Sequence, residues 1–266
     1  MNDPRNPYAP PTSQVADQED SIPTDSGRFV PNGRSLPPGR GAGWIGDAWR
    51  YLKARPGMWA AALILLFVAY IVISMVPLVN FFVQLLVPFA YAGIALAADQ
   101  QRRTGTFEIS ALVGGFQKNP VSLLAVGGVV ILAAIVFAII LALSIGMEVF
   151  GMMAKGGKIT DPSLIFSSKF WVAMCLGIAL MLPVGFATYM APQLIVLHDQ
   201  PALTAMKMSL VGCLKNILPG IVFLLSSMLL LIVSMIPFFL GLLISIPIMV
   251  ITNYTVYRDI FVEEND

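Results

Sequence analysis

Six long apolar stretches without a single Asp, Glu, Lys or Arg constrain this chain more than any other feature. They cover residues 58–76, 81–98, 121–147, 170–197, 217–236 and 238–257. A bilayer core about 30 Å thick needs roughly 20 apolar residues per helix, and each stretch approximately meets that requirement. A soluble helical protein with buried helices would show a polar face on each helix, and these stretches show none. The sequence predicts an all-α integral membrane protein with six transmembrane helices.

The ends of the chain differ in composition from this membrane domain, which we place at residues 43–261. Residues 1–42 are rich in Pro, Gly, Ser, Asp and Arg, with too few apolar residues to offset the entropy of ordering. We predict a disordered cytoplasmic tail there and a short acidic cytoplasmic C-terminus at residues 262–266. Because no apolar segment follows a basic start, we expect no cleavable signal peptide.

The basic residues predict the orientation in the membrane. Of the 16 Lys and Arg residues, all but Lys155, Lys158 and Lys169 lie before the first stretch, in the second or fourth connection, or after the sixth stretch. Basic residues in short loops are retained in the cytoplasm, so we predict that both termini are cytoplasmic. The uncharged connections at residues 77–80 and at Pro237 should be tight turns on the far side, where residues 151–169 form a larger loop.

A recurring pattern indicates internal repeats. The string Ser-Met-Val-Pro at residues 74–77 matches Ser-Met-Ile-Pro at residues 234–237, and a second proline follows in each returning helix, at Pro88, Pro183 and Pro247. These features predict three parallel-repeat helical hairpins. The internal prolines could line a cavity or gate between kinked helices, or simply curve the helices of a packed bundle. We favour curvature, because proline is common in membrane helices.

Each hairpin is preceded by apolar residues at helical spacing with a basic edge, leading into a proline. These segments lie at residues 45–52, 109–116 and 203–214. Such a pattern is typical of a short helix in the headgroup layer. We therefore predict a short cytoplasmic interfacial helix before each hairpin.

Three carboxylates occupy similar places near the cytoplasmic ends of the returning helices, at Asp99, Asp199 and Asp259. An acid at a helix C-terminus is mildly unfavourable, and Arg102, Arg103 and Arg258 are near enough in sequence to compensate. We favour solvated interfacial carboxylates, because a helix-terminal charge in the headgroup layer costs only tenths of a kcal/mol. The three carboxylates, together with Arg102 and Arg103, are weak candidates for polar or lipid contacts.

Few polar side chains occur inside the predicted membrane helices. Gln84 lies in the second stretch and Asn253 near the end of the sixth. Coupled transporters generally place ionisable residues near the midplane, and none is present there. Gln84 and Asn253 are therefore further weak candidates for polar or lipid contacts.

Catalytic and metal-binding signatures are missing from the sequence. The single histidine, His198, is next to Asp199, but adjacent side chains on a helix point about 100° apart and cannot form a dyad. Trp44, Trp49 and Trp59 fit an interfacial aromatic belt better than a ligand cage. The two cysteines are too few for a disulfide framework, and we expect them to pack as small apolar residues. We expect no enzyme activity, cofactor or metal.

Several short strings of the chain match the pattern of a known family: Gly43-Trp44-Ile45, Ala48-Trp49, Arg55-Pro56-Gly57-Met58-Trp59, Ala191-Pro192, residues 205–209 and residues 254–261. By these strings the sequence resembles a family of uncharacterised proteobacterial multi-pass inner-membrane proteins. A more distant likeness is to the membrane domain of some glycerophosphodiester phosphodiesterases, but the chain lacks their catalytic domain. The resemblance implies a six-span protein of the bacterial inner membrane, of unknown role, and transfers no functional residues.

Two functional hypotheses follow. The first is a non-enzymatic scaffold or a protein that contacts the lipid bilayer, anionic lipid or another membrane protein through its cytoplasmic face. The alternative is a transporter of a small or lipid-like molecule along a path between kinked helices. A continuous cavity lined by Gln84 or Asn253 and by the internal prolines would favour the alternative. We expect no nucleic-acid partner.

Overall fold

The computed structural model describes residues 27–75, 83–146, 156 and 167–263. The described residues form nine α-helices, one 3-10 helix and one pair of two-residue strands. In chain order they are β1 Arg28–Phe29, α1 Arg40–Ala54, α2 Pro56–Ser74, α3 Val83–Thr104, the 3-10 helix Ile109–Phe116, α4 Pro120–Ile145, α5 Ser168–Tyr189, α6 Ala191–His198, α7 Ala202–Lys215, α8 Ile217–Met235, α9 Leu242–Phe261 and β2 Val262–Glu263. The fold is all-α apart from that short strand pair.

Five helical segments of the described chain are long and apolar enough to cross a membrane. They are Pro56–Ser74, Val83–Thr104, Pro120–Ser144, Ser168–His198 and Ile217–Met235. The sixth predicted stretch differs, because the backbone turns at Phe238 and Phe239, which have φ of 51° and 65°. These apolar residues are thereby excluded from α9, which gains Arg258 and Asp259 at its other end. Helix α9 therefore contains charged as well as apolar residues, and most of it is buried in the bundle.

Helix α1 lies across α8 and α9. Its buried residues Trp44, Ala48 and Tyr51 recur every three to four positions and form one face. The backbones approach closely where α1 begins, since a Cβ added to Gly41 would lie 2.1 Å from the carbonyl oxygen of Pro219. Residues 45–52 are therefore helical, as predicted.

The second predicted interfacial segment forms the 3-10 helix, which packs against α3. Leu112 and Gly115 are buried there. A Cβ on Gly93 of α3 would lie 2.1 Å from the Leu112 carbonyl oxygen, so the two backbones are in contact. Glycines at 114 and 115 disfavour an α-helix and permit this close approach. The third segment, 203–214, is helical within α7.

The boundary at residue 42 for a disordered tail is wrong, because residues 27–42 are folded against the end of α9. Strand β1 pairs antiparallel with β2, and the Val30 amide donates to the Phe261 carbonyl at 2.8 Å. The Arg34 amide donates to the Ile260 carbonyl at the same distance. Backbone and side-chain hydrogen bonds supply the stabilisation that apolar residues could not. Residues 1–26 and 264–266 lie outside the described residues.

The three internal prolines do not occupy equivalent surroundings. Pro88 in α3 and Pro247 in α9 are buried, whereas Pro183 in α5 is exposed. Of the two predicted far-side turns, residues 77–80 fall outside the described residues, and Pro237 lies in the turn between α8 and α9. Most of the predicted far-side loop, residues 151–169, is likewise outside them.

A break in the returning helix distinguishes the middle predicted hairpin from the other two. The helix is interrupted at Met190, between α5 and α6. The Met190 amide donates to the Ser209 hydroxyl at 3.0 Å, and that hydroxyl donates to the Phe186 carbonyl at 2.6 Å. A side chain of α7 thus satisfies backbone groups that a continuous helix would pair by itself.

Candidate functional site

A cavity of about 200 Å³ lies between α3, α4, α5, α6 and α9. Both intramembrane polar candidates, Gln84 and Asn253, line it. Pro88 also contributes to its wall, together with Gly185 and Tyr189. The bundle therefore brings together two polar residues that are far apart in the sequence.

Asn253 is a buried polar residue in the wall of this cavity. It is 4% exposed, and its Nδ2 donates to the Tyr189 carbonyl at 3.4 Å. Its Oδ1 is buried and has no hydrogen-bond partner among the described residues. A buried acceptor left unpaired costs about 1–3 kcal/mol. This oxygen has almost no accessible surface, so it does not face the open part of the cavity.

The remaining lining is neutral. Of the described residues that line the cavity, none is charged, and most are apolar or aromatic. The Thr188 hydroxyl donates to the Val184 carbonyl at 2.8 Å within α5, so its proton is already used. Gln84 is exposed rather than buried. Such a lining favours an uncharged ligand, because an unpaired charge is costly to bury.

Asp99 joins the ends of α3 and α9. Its carboxylate accepts from Arg102 at 3.0 Å and from Arg103 at 2.6 Å, at i,i+3 and i,i+4 spacing on the helix. The Tyr254 hydroxyl donates to the same carboxylate at 3.0 Å. The Arg102 side chain is only 1% exposed. Beside this group, Lys118 and Arg103 border an open cleft of about 440 Å³.

Asp259 joins the end of α9 to α1 and to the segment before it. Its carboxylate accepts from Arg40 Nε and from Trp44 Nε1, both at 2.7 Å. Arg34 lies 3.4 Å from the other carboxylate oxygen. Burial lowers the pKa of Arg40, but its hydrogen bonds with and proximity to Asp259 and Asp47 outweigh that effect and raise the pKa overall.

The interpretation of Asp99 and Asp259 as solvated carboxylates is therefore wrong. Their side chains are 14% and 13% exposed, and each accepts from several donors. Asp259 is covered by the segment before α1. The sequence analysis predicts that this segment belongs to a disordered tail. At Asp99 the negative charge is instead compensated by ion pairs with Arg102 and Arg103.

Asp199 stands apart from these two groups. It follows α6 with φ of 51°, and its carboxylate accepts from Asn119 Nδ2 at 3.2 Å. The neighbouring His198 ring faces elsewhere, stacked on Phe29 with centroids 3.7 Å apart and hydrogen-bonded to the Tyr257 hydroxyl. The two residues do not act as a pair.

The predicted aromatic belt is wrong for two of its three members. Trp44 and Trp59 are buried, and only Trp49 is exposed. Trp59 Nε1 donates to Gln101 Oε1 at 2.8 Å, and Gln101 Nε2 donates to the Tyr51 carbonyl at 2.9 Å. These tryptophans hold α1 and α2 to the end of α3 and α9 rather than marking a headgroup layer.

Sequence reasoning missed several buried polar residues. Asn216, at the start of α8, accepts from the Leu36 amide at 2.9 Å and donates to the Arg34 carbonyl at 2.8 Å. Gln193 of α6 is fully buried, and neither of its amide atoms has a partner among the described residues. The partners of Asn216 at residues 34 and 36 are distant in sequence, so no local pattern could have identified them.

The two cysteines are free, as expected from their count. Cys213 in α7 lies near the Phe186 carbonyl oxygen at 3.6 Å, and burial raises the pKa of its thiol to about 12. Cys175 in α5 is exposed. Within the part of the chain that the structure describes, no three His, Cys, Asp or Glu side chains are grouped so as to hold a metal ion.

No family model matches the chain, and no curated protein or solved structure matches it at a significant level.

Proposed function

We propose that this chain is a non-enzymatic inner-membrane protein that binds a lipid-like molecule between its helices. The observation that carries the proposal is the cavity lined by both Gln84 and Asn253. A concave, largely apolar site with few polar groups is the usual form of a small-molecule site. The proposal joins the lipid-contact hypothesis to a defined location.

The size of the cavity suits part of an amphiphile. A volume of about 200 Å³ has room for about six water molecules at about 30 Å³ each. That is enough for a small head group and its first carbon atoms. The remainder of a longer chain would lie along the apolar outer surfaces of the helices.

The lining supports binding more than a continuous transport path. Of the three internal prolines, only Pro88 contributes to the wall. Pro183 is exposed on another side of α5, and Pro247 is buried elsewhere in α9. We therefore propose that the protein holds or presents its ligand rather than conducting it along three kinked helices.

A second candidate function uses the cytoplasmic face. The cleft beside Asp99 has Arg103 and Lys118 at its border and could receive an anionic lipid head group. However, Arg103 already pairs with Asp99, and Lys118 donates to the Val196 carbonyl at 3.3 Å. Asp99 offsets the charge of Arg103, and the Val196 carbonyl occupies one donor of Lys118, so we rank this function second.

The proposal includes the topology inferred from the sequence: six spans, three parallel hairpins and cytoplasmic termini. The bond between Tyr254 and Asp99 supports it, because it joins the C-terminal ends of α3 and α9. The bond between Asn119 and Asp199 likewise places the end of α6 beside the start of α4. All three returning helices then end on one side. Membership in the uncharacterised family remains part of this proposal.

A glycine in the cavity wall allows a direct test. Nothing lies within 4 Å of a Cβ added to Gly185, so Gly185→Leu fills the cavity without forcing the helices apart. Gly220→Leu is the matched control, since Gly220 also has open space but lies in α8 away from the cavity. Both variants and the wild type are purified in mild detergent and analysed by native mass spectrometry.

We expect bound lipid-like molecules on the wild type and on Gly220→Leu, and their loss from Gly185→Leu. The same adducts on all three proteins, or none on any of them, would overturn the proposed function. Equal melting temperatures of the two variants exclude unfolding as the cause of a loss.

A further inference from the structure

We propose that the cavity recognises the carbonyl group of an uncharged lipid, which accepts hydrogen bonds from the side chains of Gln84 and Tyr91. This inference rests on the proposed function, because it names the chemical class of the molecule that the cavity holds. The ligand class is a neutral lipid ester, whose polar group is a carbonyl oxygen and which has no charged head.

Gln84 and Tyr91 are accessible polar side chains of the cavity wall. They line the cavity together with Val87 and Pro88 of the same helix. Spacings of three, four and seven residues from Gln84 place all four residues on one face of α3. Gln84 is exposed and Tyr91 is 36% exposed, so both side chains have open surface that a ligand can touch.

The donor hydrogens of these two side chains are not used within the described part of the chain. The Gln84 amide and the Tyr91 hydroxyl donate a hydrogen bond to none of the described residues. The Asn253 amide of the same wall differs, because its Nδ2 donates to the Tyr189 carbonyl at 3.4 Å. Gln84 and Tyr91 therefore offer a ligand the two amide hydrogens and the hydroxyl hydrogen.

The depth of these donors makes a partner necessary. At 1.5 Å per residue, Tyr91 lies about 12 Å along α3 from Asp99, and Gln84 lies about 10 Å further on. In the proposed topology both donors are then within the hydrocarbon layer, which is about 30 Å thick. Hydrocarbon contains no hydrogen-bond acceptor, so a donor exposed there is costly unless a ligand or water pairs with it.

A carbonyl group satisfies these donors better than a hydroxyl group does. A carbonyl oxygen has two lone pairs and brings no proton, whereas a hydroxyl adds a donor that needs an acceptor of its own. Buried N–H donors are left unpaired less often than carbonyl acceptors, so the free donors decide which ligand fits. Asn253 Oδ1 has almost no accessible surface and cannot accept an additional proton from a ligand.

The lining also disfavours charged head groups. Among the described residues that line the cavity there is no Lys or Arg to pair with a phosphate or a carboxylate. There is likewise no Asp or Glu to pair with an ammonium group. A charged head would be buried without a counter-charge, and a neutral ester avoids that cost.

Matched photolabels test the inference. The first is methyl decanoate with a diazirine in the middle of its chain, the second is an alkane of the same length with the same diazirine, and the third is the corresponding decanol. The full-length protein is placed in nanodiscs of an ether-linked phosphatidylcholine, because this lipid has no ester carbonyl that would compete. After irradiation, labelled cavity peptides are quantified by mass spectrometry. Labelled peptides of α8, which does not line the cavity, correct for the amount of each compound in the membrane.

Three variants accompany the wild type. The double variant Gln84→Leu with Tyr91→Phe removes the donors with little change of volume. Tyr70→Phe is the matched control, because Tyr70 on α2 is also exposed but does not line the cavity. Gly185→Leu fills the cavity. Melting temperatures establish that each variant is folded.

We expect the ester to label the cavity of the wild type and of Tyr70→Phe about tenfold more than the alkane, which corresponds to about 1.4 kcal/mol. The alcohol should label it less than the ester. In the double variant the ester should lose its advantage over the alkane, and in Gly185→Leu the cavity peptides should no longer be labelled by any compound. If the double variant does not fold, Tyr91→Phe, which lacks only the hydroxyl oxygen, decides by a severalfold fall of the ester-to-alkane ratio.

The outcomes separate the two proposals. Equal labelling of the wild type by ester and alkane, or stronger labelling by the alcohol, overturns the carbonyl if Gly185→Leu abolishes the labelling, and leaves the lipid-binding cavity standing. A preference for the ester that persists in the folded double variant overturns the role of Gln84 and Tyr91. Labelling that does not change in Gly185→Leu overturns the cavity itself, and with it both proposals.

Discussion

Asp259 and Trp44 are 215 residues apart in the sequence, yet the indole Nε1 donates to the carboxylate at 2.7 Å. The same carboxylate oxygen accepts from Arg40. The bond fixes the first amphipathic helix against the end of α9, while the Thr255 hydroxyl donates to the Trp44 carbonyl at 3.1 Å. The two ends of the described chain therefore stabilise each other.

The first prediction concerns this carboxylate. Asp259→Ala should lower the free energy of unfolding by about 1–3 kcal/mol, because Trp44 Nε1 loses its partner and the guanidinium of Arg40 loses its closest one. Chemical denaturation in detergent, followed by tryptophan fluorescence, measures the change. Glu108→Ala is the control, since Glu108 is exposed and its carboxylate accepts from the nearby Ser110 hydroxyl. An equal effect of both substitutions contradicts the role of Asp259.

The second prediction concerns the segment before α1. Deleting residues 1–39 should lower the melting temperature, because it removes the partners of Phe261, Ile260 and Asn216. Deleting residues 1–26 retains all these contacts and serves as the control. Differential scanning fluorimetry compares the two proteins with the full chain. Equal melting temperatures for both deletions would show that the contacts add nothing to stability.

A third prediction addresses close backbone packing. Gly93→Ala should destabilise the fold by about 1–3 kcal/mol, because its Cβ would overlap the Leu112 carbonyl and push the 3-10 helix away from α3. Gly46→Ala, on α1, has open space around its Cβ and should be neutral or slightly stabilising. Thermal unfolding of the two variants distinguishes them, and a stable Gly93→Ala protein would be inconsistent with the packing.

A fourth prediction uses the raised pKa of Cys213. A thiol reacts as its thiolate, and a pKa of about 12 leaves almost no thiolate at pH 7 to 9. Maleimide labelling should therefore be slow throughout that range and accelerate only toward pH 12 or on unfolding. A Cys175→Ala background isolates the site, and Lys207→Cys with Cys213→Ala gives an exposed thiol on the same helix for comparison. Rapid labelling of folded Cys213 at pH 7 would contradict this environment.

The fifth prediction concerns orientation. A reporter fused after Asp266 should be active only in the cytoplasm, because the basic residues concentrate on that side. A cysteine at Ser163, placed in a protein without Cys175 and Cys213, should label from the periplasm in intact cells. Labelling that requires a permeabilised inner membrane would reverse the topology.

The sequence by itself determined the helical class and where most helices lie. Uninterrupted apolar stretches and helical spacing are local properties, so α2 and α8 could be located before any contact was known. The same holds for α1 and α7, whose apolar faces recur every three to four residues. The glycines at 114 and 115 were also visible, but their effect on helix type depended on the contact with α3.

Only the tertiary structure decided which polar groups meet. Asp259 was visible as an acid at a helix end, but its donors Arg34 and Arg40 belong to a segment whose composition suggested disorder. Likewise, nothing near Gln84 in the sequence indicates that Asn253 lines the same cavity. Hydrophobic periodicity is a property of residues that are close in the sequence. Hydrogen bonds and cavities between helices depend on residues that are distant in the sequence and meet only when the chain folds.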